Sequence, residues 1–120
     1  MIPAHLDDFW SSPRLATFGT VRRDGSPHLT PVKAMRCGED FLVLTRPTTV
    51  KARNVRRTGR ASIAEHTSSL WATVEGAAVV SEEPDDLARA RAAYAERFGR
   101  PDTWGTCVMV LRPDRVLHGA

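Results

Sequence analysis

Cysteine is scarce, and the two present, Cys37 and Cys107, lie far apart with no CxxC or mixed Cys/His spacing around them. That argues against a disulfide framework and gives a structural zinc site no support. The four histidines, His5, His28, His66 and His118, are scattered without an i,i+4 pair, so no metal is expected. Long apolar runs are missing too. Stretches such as Gly76 to Val80 fall far short of the ~20 residues that a membrane-spanning helix needs, and no basic segment followed by an apolar core opens the chain. A soluble, unexported, cytoplasmic protein without a membrane partner is expected. Neither GxGxxG nor GxxxxGKS/T occurs, which speaks against the usual dinucleotide and ATP loops.

What is there fits one domain over residues 1–120: 42% of the 120 residues are hydrophobic, enough for a single modest core. Leu6, Phe9 and Trp10 fall at helical spacing within Pro3 to Ser12, and Pro13 stops that helix. Arg14 to Arg22 reads as a strand, Asp24-Gly25 as a tight hairpin turn, and Pro27 to Met35 as the return strand. Pro27 and Pro31 cannot donate to a ladder, so this return strand is expected to be irregular, bulged or at an edge. Gly38-Glu39-Asp40 makes the next turn, and Phe41 to Thr45 reads as a short buried strand.

Thr48 or Thr49 can cap a helix that runs through Lys51, Arg53, Asn54 and Arg57 and stops at Gly59. Arg60 to His66 and Leu70 to Ser81 then form a hairpin pair around Thr67, Ser68 and Ser69. Pro84 opens the strongest helix, with Leu87, Ala90, Ala93, Tyr94 and Phe98 on one face. Thr106 to Leu111 is a last strand, and Arg112-Pro113-Asp114 separates it from a short extension through Val116 and Leu117. The chain therefore reads as mainly β, with few helices and about six antiparallel strands in a closed or partly closed barrel.

Net charge is only +3, but six basic residues, Arg46, Lys51, Arg53, Arg56, Arg57 and Arg60, follow one another with no acid between them. A helix start offers free N–H groups and a partial positive charge, and nearby hydroxyls and cations add directed donors, so the segment suits a phosphate ester. On charge spacing alone a solvated basic helix flank serves equally well. No aromatics are interleaved with the cations, so nucleic acid is not expected.

The segments Arg14 through Asp24-Gly25-Ser26-Pro27-His28, Lys51-Ala52-Arg53-Asn54, Arg60-Ala61-Ser62-Ile63 and Val74-Glu75-Gly76 resemble the pyridoxamine-5'-phosphate-oxidase-like split β-barrel superfamily. Within it, the chain is most similar to the short actinobacterial deazaflavin-dependent oxidoreductases, which use coenzyme F-420. The resemblance implies an FMN-binding-protein-like split β-barrel and a homodimer in which residues of the second subunit complete each cofactor site. By position it implies Thr49 and Lys51 on the cofactor phosphate. Arg57 is then on that phosphate or on an anionic tail beyond it, and Asn54 belongs to the same motif. It further implies Pro31 and Val32 along the tricyclic ring, with Leu44 and Thr45 entering from the neighbouring strand. Arg53 and Arg56 are weaker candidates.

The chain departs from the resembled family at Lys33-Ala34-Met35, where an aromatic pair is common. Lys33 and Trp71 are candidates for the substrate side, Lys33 as a partner for an acidic substrate, Trp71 and Trp104 as walls supplied by the partner subunit. Ordinary dimer or core packing explains either tryptophan as well, and Tyr94 reads as core. The resemblance implies hydride transfer between coenzyme F-420 and a small unsaturated or conjugated molecule, the cofactor carrying the chemistry, with no catalytic side chain assigned. FMN in the same phosphate site is the alternative cofactor, and a non-catalytic flavin- or heme-type binder the alternative function. Oxidation of pyridoxine phosphate itself is not expected, because the chain ends at Ala120 soon after its last strand.

Overall fold

A computed structural model describes all residues from Met1 to Ala120. A 3-10 turn (Ala4–Leu6) runs into α1 (Asp7–Ser11), followed by β1 (Ala16–Val21), β2 (Pro27–Val32), β3 (Met35–Cys37) and β4 (Asp40–Thr45). Then come α2 (Val50–Thr58), β5 (Arg60–His66), β6 (Trp71–Ser81), α3 (Pro84–Phe98) and β7 (Cys107–Gly119). The seven strands make one antiparallel sheet in the order β2-β1-β5-β6-β7-β4-β3.

The two edge strands, β2 and β3, are joined only by Lys33 and Ala34. A flat sheet of this width would hold its edges about 29 Å apart, whereas the chain from Val32 to Met35 reaches at most about 10 Å. The sheet therefore curls until its edges approach each other, as a half-barrel. The return strand expected from Pro27 to Met35 is thus two strands on opposite edges, broken at Lys33-Ala34, and the sheet has seven strands rather than six. Pro27 and Pro31 sit on edge strand β2, where a missing N–H costs no ladder bond.

The expected break at Arg112-Pro113-Asp114 is instead a bulge inside one long strand. Glu75 pairs with Arg115 and Gly76 with Pro113, which leaves Asp114 as the extra residue. Gly76 is required there, because a Cβ would lie 2.1 Å from the Arg112 carbonyl oxygen.

Two apolar clusters follow from this geometry. The larger fills the curl with Phe18, Phe41, Val43, Ile63, Val74 and Met109, and α2 closes it with Ala52 and Val55. The smaller lies outside the curl, where Ala90 and Tyr94 of α3 cover Met35, Leu42, Leu44 and Val108. All six residues of β4 are consequently buried, since alternate side chains face the curl and the helix. The two thiols are free, Cys107 buried and Cys37 partly so. No helix is long and apolar enough to cross a membrane.

Candidate functional site

α2 begins where β4 ends. Thr49 is its N-cap: the hydroxyl accepts from the Ala52 N–H at 3.3 Å and lies 3.1 Å from the hydroxyl of the buried Thr45. The helix stops at Gly59, whose φ of 68° is left-handed. Lys51 projects from the first turn, and burial alone holds its ammonium below its ordinary pKa. None of the nine ion pairs of the structure includes Lys51, so its charge has no acidic partner in the protein.

Lys51 opens onto a cleft of about 490 Å³ that runs along the end of β2. Pro31, Val32 and Lys33 form one wall, Leu44 and Tyr94 the base, and the segment Arg100 to Trp104 after α3 the roof. That roof is tied down at several points. Asp102 accepts from the Gly105 N–H at 2.9 Å, Thr106 N–H donates to the Thr45 carbonyl at 2.8 Å, and the Arg46 guanidinium lies 4.9 Å from the Trp104 ring centre. A Cβ on Gly105 would meet the Leu44 Cβ at 2.9 Å, so the roof backbone rests directly on β4.

The cleft thus brings together Pro31, Val32, Leu44, Lys51 and Lys33, with Thr45 and Thr49 at the helix start beside it. Three other expected site residues lie elsewhere in this subunit. Asn54 is buried against β1, where its amide donates to the Thr20 hydroxyl at 3.0 Å. Arg57 donates to the Asn54 side-chain oxygen at 3.0 Å and to the Val21 carbonyl. Both therefore brace the helix against β1 rather than line the cleft. Trp71 is absent from the cleft because it pairs with Gly119 at the far end of the β6–β7 ladder, and it is 42% exposed.

Several cleft residues were not expected from the sequence. Tyr94 is both core and cleft, since its ring tilts against Phe98 and the residue also lines the cleft. Arg100, Asp102 and Thr103 lie in an irregular segment with no periodicity to mark it. His28, outside the cleft, shares a face of β2 with Thr30 and Val32. Burial, with Arg22 and Lys51 nearby, holds its imidazole below the ordinary value.

Pro31, Val32 and Leu44 beside a capped helix start and an unpaired cation can seat an apolar group that carries an anion. The pattern of the pyridoxamine 5'-phosphate oxidase family matches residues 2–118. The chain belongs to that family. Among its relatives, an F-420H(2)-dependent biliverdin reductase of Mycobacterium tuberculosis (strain CDC 1551 / Oshkosh) is 32% identical over 115 residues, which are 93% of this chain and 84% of that protein.

Solved structures share the fold. A conserved hypothetical protein of Mycobacterium tuberculosis superposes with a TM-score of 0.87 at 26% identity, covering 98% of this chain and 84% of that one. An F-420 reductase superposes with a TM-score of 0.77 at 17% identity, covering 97% of this chain and 98% of that one, a likeness of fold.

Proposed function

We propose that this member of the pyridoxamine 5'-phosphate oxidase family is a cytoplasmic oxidoreductase that uses coenzyme F-420 to reduce a small conjugated organic molecule. The observation that carries the reading is Lys51. A cation held partly out of water with no acid beside it, at the mouth of a capped helix start, is a destabilised charge that an anionic group relieves. The 32% identity to an F-420H(2)-dependent reductase supports the deazaflavin as the molecule that brings that anion.

In this reading Thr49, Lys51 and the first N–H groups of α2 bind the phosphate, and Thr45 holds the Thr49 hydroxyl in place. Pro31, Val32 and Leu44 seat the ring and exclude water from one side of it. Arg53, free of any ion pair, offers a cation to an acidic tail beyond the phosphate, while Asn54 and Arg57 hold the helix against β1 and Arg56 pairs with Glu82. The coenzyme, when bound, supplies hydride chemistry. The protein's share is to bind, orient and keep water away.

The active unit is a homodimer. Trp71, Val79 and Leu117 are exposed on the strands β6 and β7, a cost in water that a second subunit removes. Trp71, far from its own cleft, then becomes available to the partner's.

FMN is the second reading, because a phosphate site of this kind serves it equally. The surplus of arginines along α2 favours the longer, more acidic coenzyme. Biliverdin, the substrate in the relative's name, is the first molecule to try. Under nitrogen, reduced coenzyme F-420 should be oxidised by biliverdin or another conjugated acceptor in the presence of the protein, and Lys51→Met should abolish this at low coenzyme concentration. Turnover with reduced FMN but not with reduced F-420 would move the protein to the flavin reading.

A further inference from the structure

The cleft holds two further cations. Lys33, just past the end of β2, and Arg100, just past the end of α3, line it together with Lys51. Arg100 is brought towards Lys33, because Arg97, three residues earlier at the close of α3, donates to the Ala34 carbonyl at 2.5 Å. That bond fixes the exit of the helix beside the residue that follows Lys33.

Neither cation belongs to any of the nine ion pairs of the structure. Asp102 is the single acid lining the cleft, and one of its oxygens is occupied by the Gly105 N–H on its own loop. The rings of Tyr94 and Trp104 line the same cleft, and the Arg46 guanidinium over Trp104 holds that indole in position.

We infer that Lys33 and Arg100 form a carboxylate-reading subsite, so that the substrate is a flat conjugated acid whose ring system lies against Trp104 and Tyr94. The inference rests on the coenzyme occupying the Lys51 end. Two unpaired cations on separate segments of one aromatic-lined cleft attract an anion that either alone would hold loosely in water.

The test is direct binding to the full-length protein, read by quenching of tryptophan fluorescence, with Trp104→Phe identifying the reporter. The probes are trans-cinnamate, sorbate and all-trans retinoate, each against its own methyl ester, with coenzyme F-420 titrated separately. At least one acid should bind about tenfold or more tightly than its ester. Lys33→Gln and Arg100→Gln should each remove most of that preference, while F-420 binding stays within about twofold and the surface variant Arg23→Gln changes nothing.

Equal binding of every acid and its ester, or a preference that survives both substitutions, overturns the subsite and leaves the coenzyme reading standing if F-420 still binds. Absence of F-420 binding with the acid preference intact overturns the coenzyme reading and leaves the subsite.

Discussion

The carboxylate of Glu65 accepts two hydrogen bonds from the Arg97 guanidinium, at 2.6 and 2.9 Å, with both side chains almost wholly buried. Arg14 adds a third contact to Glu65 at 3.2 Å. The remaining Arg97 donors go to the Ser12 and Ala34 carbonyls, so one buried guanidinium joins β5 to the segment after α1 and to the link between the sheet edges.

Breaking that pair leaves a buried charge without its partner. Glu65→Gln should cost about 3 kcal/mol or more by urea unfolding, whereas the double change Glu65→Leu with Arg97→Met should cost less than the two single changes summed. Additive losses would show that the two residues act independently.

Lys51 sets stability against binding. Burial holds its folded pKa below 10.5, so at neutral pH the folded protein carries a charge that the unfolded chain bears more easily. Lys51→Met should raise or preserve the melting temperature while weakening coenzyme binding at least tenfold. A large loss of stability would mean that the ammonium is a structural group.

His28 gives an acid limb. Burial first, then Arg22 and Lys51, keep its folded pKa below 6.5. As pH falls the unfolded chain therefore takes up this proton before the folded one. The contribution of His28 is full above about pH 6.5 and is lost as pH falls through that value toward the lower folded pKa. His28→Gln should flatten unfolding free energies measured between about pH 7.5 and 5.5. An unchanged slope would assign the acid limb to another group.

Gly76 tests the bulge. Gly76→Ala puts a Cβ 2.1 Å from the Arg112 carbonyl oxygen and 2.8 Å from the Pro113 Cα, both backbone atoms. A loss of about 3 kcal/mol is expected on calorimetry or urea unfolding. A change below about 0.5 kcal/mol would show that the β6–β7 ladder adjusts freely.

Most elements were legible because their signals are local. The Thr49 cap, the Gly59 stop, the Asp24-Gly25 hairpin and the apolar face of α3 lie where their residues place them. The separation of β2 from β3 was not legible, because no local signal marks a break at Lys33-Ala34 and only the curl of the whole sheet sends β2 and β3 to opposite edges. The β7 bulge was misread for the complementary reason. Arg112-Pro113-Asp114 looks like a break, but Gly76 on the facing strand leaves room for the ladder to continue.

The helix start beside the cleft was readable from Thr49, the cap, and Lys51 in the first turn. The roof was not, since Arg100 to Trp104 has no periodicity and reaches the cleft only through the packing of α3 on β4. Asn54 and Arg57 share the helix with Lys51, but their side chains turn to Thr20 and Val21, a choice made by the neighbouring strand.

The most direct test of the central claim is a parallel fluorescence titration of the purified protein with coenzyme F-420 and with FMN, each repeated on Lys51→Met. The account predicts tighter binding of F-420 than of FMN, weakened at least tenfold by the substitution. Tighter binding of FMN, or F-420 binding indifferent to Lys51, would contradict it.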